Sequence, residues 1–299
     1  MDRRQFLKTS ALLTGGALLP KSSIVQAQAK AHDLVLVKNG QPAEMVSKAL
    51  DLLGGIQRFV ATGEVVLLKP NISWDRSPEY AATTNPELVA EMVRQCRNAG
   101  AKKVIVLDNP CNDARRSYAS SRIPEYAEKA GAEVKFMREN QYIETPIPNG
   151  MKLKSWLFHQ DALSADKIIY LPILKHHRLS GTTIGFKNVM GLIGGNRGRI
   201  HFPFAENIVD LNRRIVPVLT VVDAIRVLKR NGPGGGNLHD VKQMNTVVAG
   251  IDRVLVDAWG ARIFGHDPYT YDWLKLAHAH GLGEIDTEKR PPFIFDFKA

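Results

Sequence analysis

The sequence predicts an α/β fold, with a mainly parallel sheet, flanking helices and an inserted β-hairpin. Three observations predict it. Short apolar, β-branched runs at 65–68, 103–107 and 167–174 alternate with stretches whose apolar residues recur at helical spacing, the pattern of β-α-β units with right-handed crossovers. These runs end in residues that stop strands or bind ligands: Lys69-Pro70-Asn71, Asp108-Asn109-Pro110 and Lys175-His176-His177. Between the third and fourth β-α units, Pro146, Pro148, Asn149 and Gly150 break the alternation and predict a hairpin of 143–147 with 151–154.

Taken in order, residues 34–37 read as a first strand and 43–53 as a helix. The strand at 65–68 follows. Thr83-Thr84-Asn85-Pro86-Glu87 is a helix start, with a polar cap, a proline and an acid in the first turn; the helix runs to about Asn98, and Gly100 ends it. After the strand at 103–107, residues 115–130 read as a helix broken near Pro124, and 133–137 as a strand. A short connector at 161–165 leads to the strand at 167–174. Residues 182–192 have room for a short helix, and 204–215 have helical spacing. A strand at 218–222 ends at Asp223, the glycine-rich turn 232–236 follows, and 245–249 is a further strand. Asp252 caps a helix over Arg253–Phe264. Residues 271–280 form a last helix, and 291–297 an extended edge piece.

The first 29 of the 299 residues read as a signal, not as fold. Arg3-Arg4-Gln5-Phe6-Leu7-Lys8, a modest apolar run and Ala27-Gln28-Ala29 together match a twin-arginine export signal with a small-x-small cleavage site. The apolar run is too short for a stable membrane span. The expected location is periplasmic or otherwise exported, with the export machinery as a partner. Residues 30–299 then make a single α/β domain. The formal charge of the whole chain is +10; removing Arg3, Arg4, Lys8, Lys21 and Asp2 with the signal leaves +7. That surplus favours anionic ligands. Nucleic acid is a poor match, because the basic residues sit in a glycine-rich loop and not on a helix interleaved with aromatics. Cys96 and Cys111 are the two cysteines, too few for an intrinsic iron–sulfur cluster. Their pairing is left open.

The working edge falls at 175–201. This stretch holds Lys175, His176, His177, Arg178, Lys187, Arg197, Arg199 and His201, and residues 167–205 contain no acid. A glycine-rich, acid-free loop after a buried strand suits an anion held by cationic side chains and backbone N–H groups. Topology brings Lys69, Asn71 and Asp108 to the same edge, with Asp223 and Gly234 arriving from the next strand and turn. Lys175, His176, His201 and Asp223 are the candidate catalytic groups. Lys69, Asn71, Asp108, Lys187, Asn188, Arg199 and Gly234 are the candidate ligand-binding groups. Crowded lysines favour loss of a proton from one of them, giving a base or an imine-forming amine. His176, His177 and His201 with Asp108 or Asp223 could alternatively supply metal ligands. The cofactor is therefore open between a metal and a phosphate-bearing group.

The ordered set Lys69-Pro70-Asn71, Thr83-Thr84-Asn85-Pro86, Asp108, Lys175-His176-His177, Lys187-Asn188 with Gly191, Asp223, Gly232-Pro233-Gly234 and Asp252 with Asp257 resembles the domain of unknown function 362 family over about 65–265. The family carries no settled activity, so the resemblance implies a site more than a reaction. Some members are fused to ferredoxin-type iron–sulfur modules; this chain lacks the cysteines for one. Two functional classes fit best, ahead of a basic surface module for anionic polymers. One is an enzyme acting on, or with, an anionic small molecule or cofactor, with redox chemistry suggested only by the export signal. The other is a binding or maturation protein without chemistry.

Overall fold

A continuous apolar run, buried on both faces, builds the first strand of the sheet. In the computed structural model, which describes residues 31–299, β1 (Leu34–Lys38) is followed by α1 (Pro42–Leu52), β2 (Val65–Pro70) and α2 (Pro86–Asn98). Then come β3 (Lys103–Leu107), α3 (Ala114–Ser121), α4 (Ile123–Lys129) and β4 (Glu133–Lys135). The hairpin is β5 (Tyr142–Pro146) and β6 (Ser155–His159), and α5 (Gln160–Ser164) leads to β7 (Lys167–Leu171) and β8 (Ile173–His177). The basic segment contains β9 (Gly181–Thr183) and the single turn α6 (Gly185–Asn188). The chain closes with α7 (Phe204–Arg214), β10 (Leu219–Leu228), β11 (Val241–Gly250), α8 (Arg253–Phe264), α9 (Asp272–Ala279) and β12 (Phe293–Asp296). The expected signal segment lies outside the described residues.

The strand order is β12-β1-β11-β10-β7-β2-β3-β4, with β8 pairing β10 and β9 off this path. Neighbours from β10 through β7, β2 and β3 to β4 run parallel, while β11 is antiparallel to both β1 and β10. The expected mixed α/β architecture with a mainly parallel sheet is therefore present. Strand alternation sorts the faces. Val66 and Leu68 join a core with Val46 of α1 and Val89 of α2. Leu67 points the other way, into a core with Phe186, Ile208 and Trp273. Lys69 shares the face of Leu67, so the strand delivers its ammonium to that second layer.

Several helix limits follow their caps. The Asn85 side chain accepts from Glu87 N at the start of α2, and Asp252 accepts from Val254 N and Leu255 N at the start of α8. Other expectations need correction. The second hairpin strand is β6, not 151–154. The amides of Met151, Lys152 and Leu153 donate to the buried Asp210 carboxylate of α7 at 2.7, 2.7 and 2.9 Å, which makes that segment a clamped loop. The run 167–174 is two strands, because Pro172 cannot donate to the ladder. The strand expected to end at Asp223 continues to Leu228, through an irregularity between Ala224 and Arg226. The helix expected at 182–192 is the strand β9, the turn α6 and a 3-10 turn, Val189–Leu192.

Candidate functional site

A cavity of about 400 Å³ lies where β2, β3 and β8 end, lined by side chains from those ends and from the segment after β9. That size suits a small ligand. Lys69, Asn71, Asp108, Lys175, Lys187, Asn188 and His201 all reach it, as do His177 and Arg197. His176, Arg199, Asp223 and Gly234 do not line it.

The floor is an ion pair. Lys69 Nζ sits 2.9 Å from Asp108 Oδ1, with the two side chains 1% and 0% exposed. Lys69 also donates to Pro70 O at 2.6 Å and to Asn188 Oδ1 at 3.0 Å. Burial pushes the Lys69 pKa down, and Asp108 opposes that shift. Asp108 Oδ2 accepts from Ile72 N at 2.5 Å, while Oδ1 faces the Lys69 ammonium. Gly191 permits this packing. A Cβ there would fall 1.8 Å from Asp108 Oδ1 and 2.4 Å from Lys69 Cε.

Lys175 forms the next wall. Its Nζ donates to Asn71 Oδ1 at 3.2 Å and to Ala82 O, and lies 5.8 Å from the centre of the Trp74 ring. Among the described residues no carboxylate pairs with it. Burial, reinforced by the nearby Lys69 charge, pushes its pKa down to about 7. Opposite, Lys187 Nζ sits 2.5 Å from His177 Nε2, 3.2 Å from Ser180 Oγ and 3.4 Å from His201 Nε2. The His177 and His201 rings stack at 5.8 Å. Burial and then the neighbouring Lys187 push the His177 pKa down to about 2. Arg197 turns its guanidinium onto Asn109 O, Met190 O and Pro110 O at 2.7, 3.2 and 2.7 Å, which brings charge to the rim and ties two loops together.

The residues that fall outside the cavity do so for local reasons. On β8, Lys175 and His177 share a face and His176 takes the other. There His176 Nδ1 accepts the Gly232 amide at 3.1 Å. Arg199 is exposed, two residues along the 3-10 turn Arg197–His201 from the arginine that does reach the cavity. Asp223 is buried and accepts from Asn85 N at 2.7 Å and Ile225 N at 3.0 Å, so it holds the start of α2 to the sheet. Burial raises its pKa to about 6. Gly234 packs behind Trp74, whose ring would be 2.1 Å from a Cβ at that position. The role of the Thr83-Thr84 start is also visible. Thr84 Oγ1 accepts from Asn71 N and donates to Leu171 O, joining the ends of β2 and β7.

Sequence reasoning overlooked Trp74 and Ser73 and preferred Arg199 to Arg197. Period-two spacing along β8 was the signal that could have selected His177 with Lys175. Cys96 is buried in α2, where burial raises its thiol to about 12, and Cys111 is exposed at the cavity; both are free thiols. Among the described residues, no three His, Cys, Asp or Glu side chains converge to hold a metal ion. The histidines proposed for that task meet backbone amides or Lys187 instead.

Sheet and cavity define an α/β protein with a lysine-rich pocket at the carboxyl ends of its parallel strands. The profile of the family described as "Domain of unknown function (DUF362)" matches residues 66–262, and the chain belongs to that family. A thylakoid-associated protein of Synechocystis sp. is 28% identical over 249 residues, covering 80% of this chain and 75% of that one. Among solved structures, the lactate racemase apoprotein of Thermoanaerobacterium thermosaccharolyticum is similar with a TM-score of 0.44 at 12% identity, over 79% of this chain and 57% of that one. A protein of Thermotoga maritima is similar with a TM-score of 0.40 at 13% identity, over 80% of this chain and 60% of that one. The chain thus spans less than two thirds of either solved structure. No helix among the described residues is long and apolar enough to cross a membrane.

Proposed function

We propose that the protein is an enzyme that binds a small anion, a carboxylate or a phosphate, in this cavity and moves a proton on it with Lys175. The observation that carries this reading is Lys175 itself, 1% exposed, on a cavity wall and without a carboxylate partner among the described residues. An ammonium has three donors; two go to Asn71 Oδ1 and Ala82 O, leaving one for a ligand. A bound anion supplies the counter-charge, and the Arg197 charge at the rim adds to the attraction. With its pKa near 7, Lys175 exists in both protonation states at neutral pH, as an acid–base group needs.

Calorimetric titration with oxalate and with inorganic phosphate tests this. Binding requires the protonated lysine, so affinity should be high at about pH 6 and about 10- to 100-fold lower at about pH 9. Affinity independent of pH across that range would sink the reading. Binding with no turnover of any anionic substrate would favour the carrier alternative.

The Arg3-Arg4 pattern supports export of the folded chain. An Arg3→Lys, Arg4→Lys double variant should then stay in the cytoplasmic fraction while the parent chain leaves it. Identical fractionation of the two would remove that part of the proposal.

A further inference from the structure

The hydrogen-bond pattern around Lys187 fixes the protons of its neighbours. The amides of Leu179 and Ser180 both point at His177 Nδ1, at 3.2 and 3.3 Å. That nitrogen is therefore the bare acceptor, and the ring carries its hydrogen on Nε2. Nε2 is the atom 2.5 Å from Lys187 Nζ, so the histidine donates and the lysine accepts. An ammonium has no lone pair with which to accept. The remaining contacts agree with a neutral amine. Ser180 Oγ gives its hydrogen to Thr182 O at 2.8 Å and can accept one from Lys187. His201 Nδ1 faces the carbonyl of Gly198 at 3.3 Å, which can only accept, so His201 Nε2 is bare and takes the other. One lone pair and two hydrogens are thus all placed. Burial and the Lys175 charge push the Lys187 pKa well below its ordinary value, in the same direction.

We infer that Lys187 is a neutral amine held ready to capture the carbonyl carbon of an anionic aldehyde or ketone, such as a 2-oxo acid, as an imine. The choice of an anionic carbonyl compound rests on the anion-binding reading above. Turning Nζ away from His177 frees the lone pair, which forms the C–N bond, and leaves the His177 Nε2–H free to donate to the carbonyl oxygen. His201 Nε2 takes a proton from the nitrogen. The two amine hydrogens leave with the oxygen as one water molecule, and the imine remains; no oxidant or reductant is consumed. Hydrolysis reverses the step.

Full-length protein incubated at neutral pH with glyoxylate and cyanoborohydride, then digested and mapped by mass spectrometry, tests the inference. The reduced adduct should appear on Lys187 at least about 10-fold ahead of exposed lysines such as Lys152, because an ordinary lysine is almost fully protonated at that pH. Lys187→Arg should abolish that adduct and leave the surface labelling unchanged. If the variant fails to fold, the map of the parent protein still decides. Lys187 unmodified while surface lysines react would overturn the inference, and oxalate binding measured alongside would show whether the anion reading survives. Propanal, an uncharged aldehyde, separates the two further. Capture of propanal on Lys187 as readily as glyoxylate would keep the nucleophile but overturn the anionic substrate class.

Discussion

Lys69→Met should cost about 3–5 kcal/mol of folding stability, the usual effect of removing one partner from a buried ion pair. The expectation follows from burial. Lys69 and Asp108 are 1% and 0% exposed, so bulk solvent compensates poorly for the lost ammonium. Asp108 Oδ2 would keep the Ile72 amide, but Oδ1 would lose the one cation within ion-pair distance of it among the described residues. The Asn188 side chain would lose its acceptor contact to Nζ as well. A loss of this size is a large share of the roughly 5–15 kcal/mol available to a folded protein. Urea unfolding would show it as a lower midpoint at an unchanged slope. The double variant Lys69→Met, Asp108→Asn should recover part of the loss, since the orphaned charge goes too. A single-variant loss below about 1 kcal/mol would mean that the pair is not buried as described.

Lys175→Met should have the opposite effect on the empty protein while abolishing anion binding. The Lys175 pKa falls from 10.5 to about 7 on folding, so the folded state disfavours its charged form. The penalty is fully present below about pH 7, shrinks as pH rises towards 10.5 and is absent above it. At its largest it corresponds to about 5 kcal/mol, as an order of magnitude. Part of the gain is offset because Asn71 Oδ1 and Ala82 O lose their donor. The variant should therefore melt higher than the parent at about pH 6, with the gap closing by about pH 10. Oxalate should raise the parent melting point at low pH and leave the variant unmoved. A variant that melts lower at about pH 6 and still binds oxalate would remove Lys175 from the site.

Local chemistry decided which features were legible in the sequence. The starts of α2 and α8 could be read because Asn85-Pro86 and Asp252 sit beside them and cap them directly. The second hairpin strand could not, because the residue that pulls 151–153 into a loop is Asp210, nearly sixty positions away. Strand ends carried Lys69, Asn71, Asp108 and Lys175 to one edge, and sequence alone located that edge. Asp223, whose strand runs on past a bulge, and His176, which alternation turns to the opposite face, do not reach the cavity at that edge. Choosing between Arg197 and Arg199 needed the phase of a short 3-10 turn, which no periodic pattern records.

The pairing of β1 also bears on the order in which the chain can fold. Leu34 to Lys38 lie against Gly250 to Thr246 on one side and the β12 strand on the other. A ribosome adding about 5–20 residues each second takes on the order of 10–40 s to pass from one partner to the other. Through that interval the apolar segment at 34–37 has no ladder to join. The early strand thus stays without its ladder until the late strands are made, and closure of the sheet waits for them.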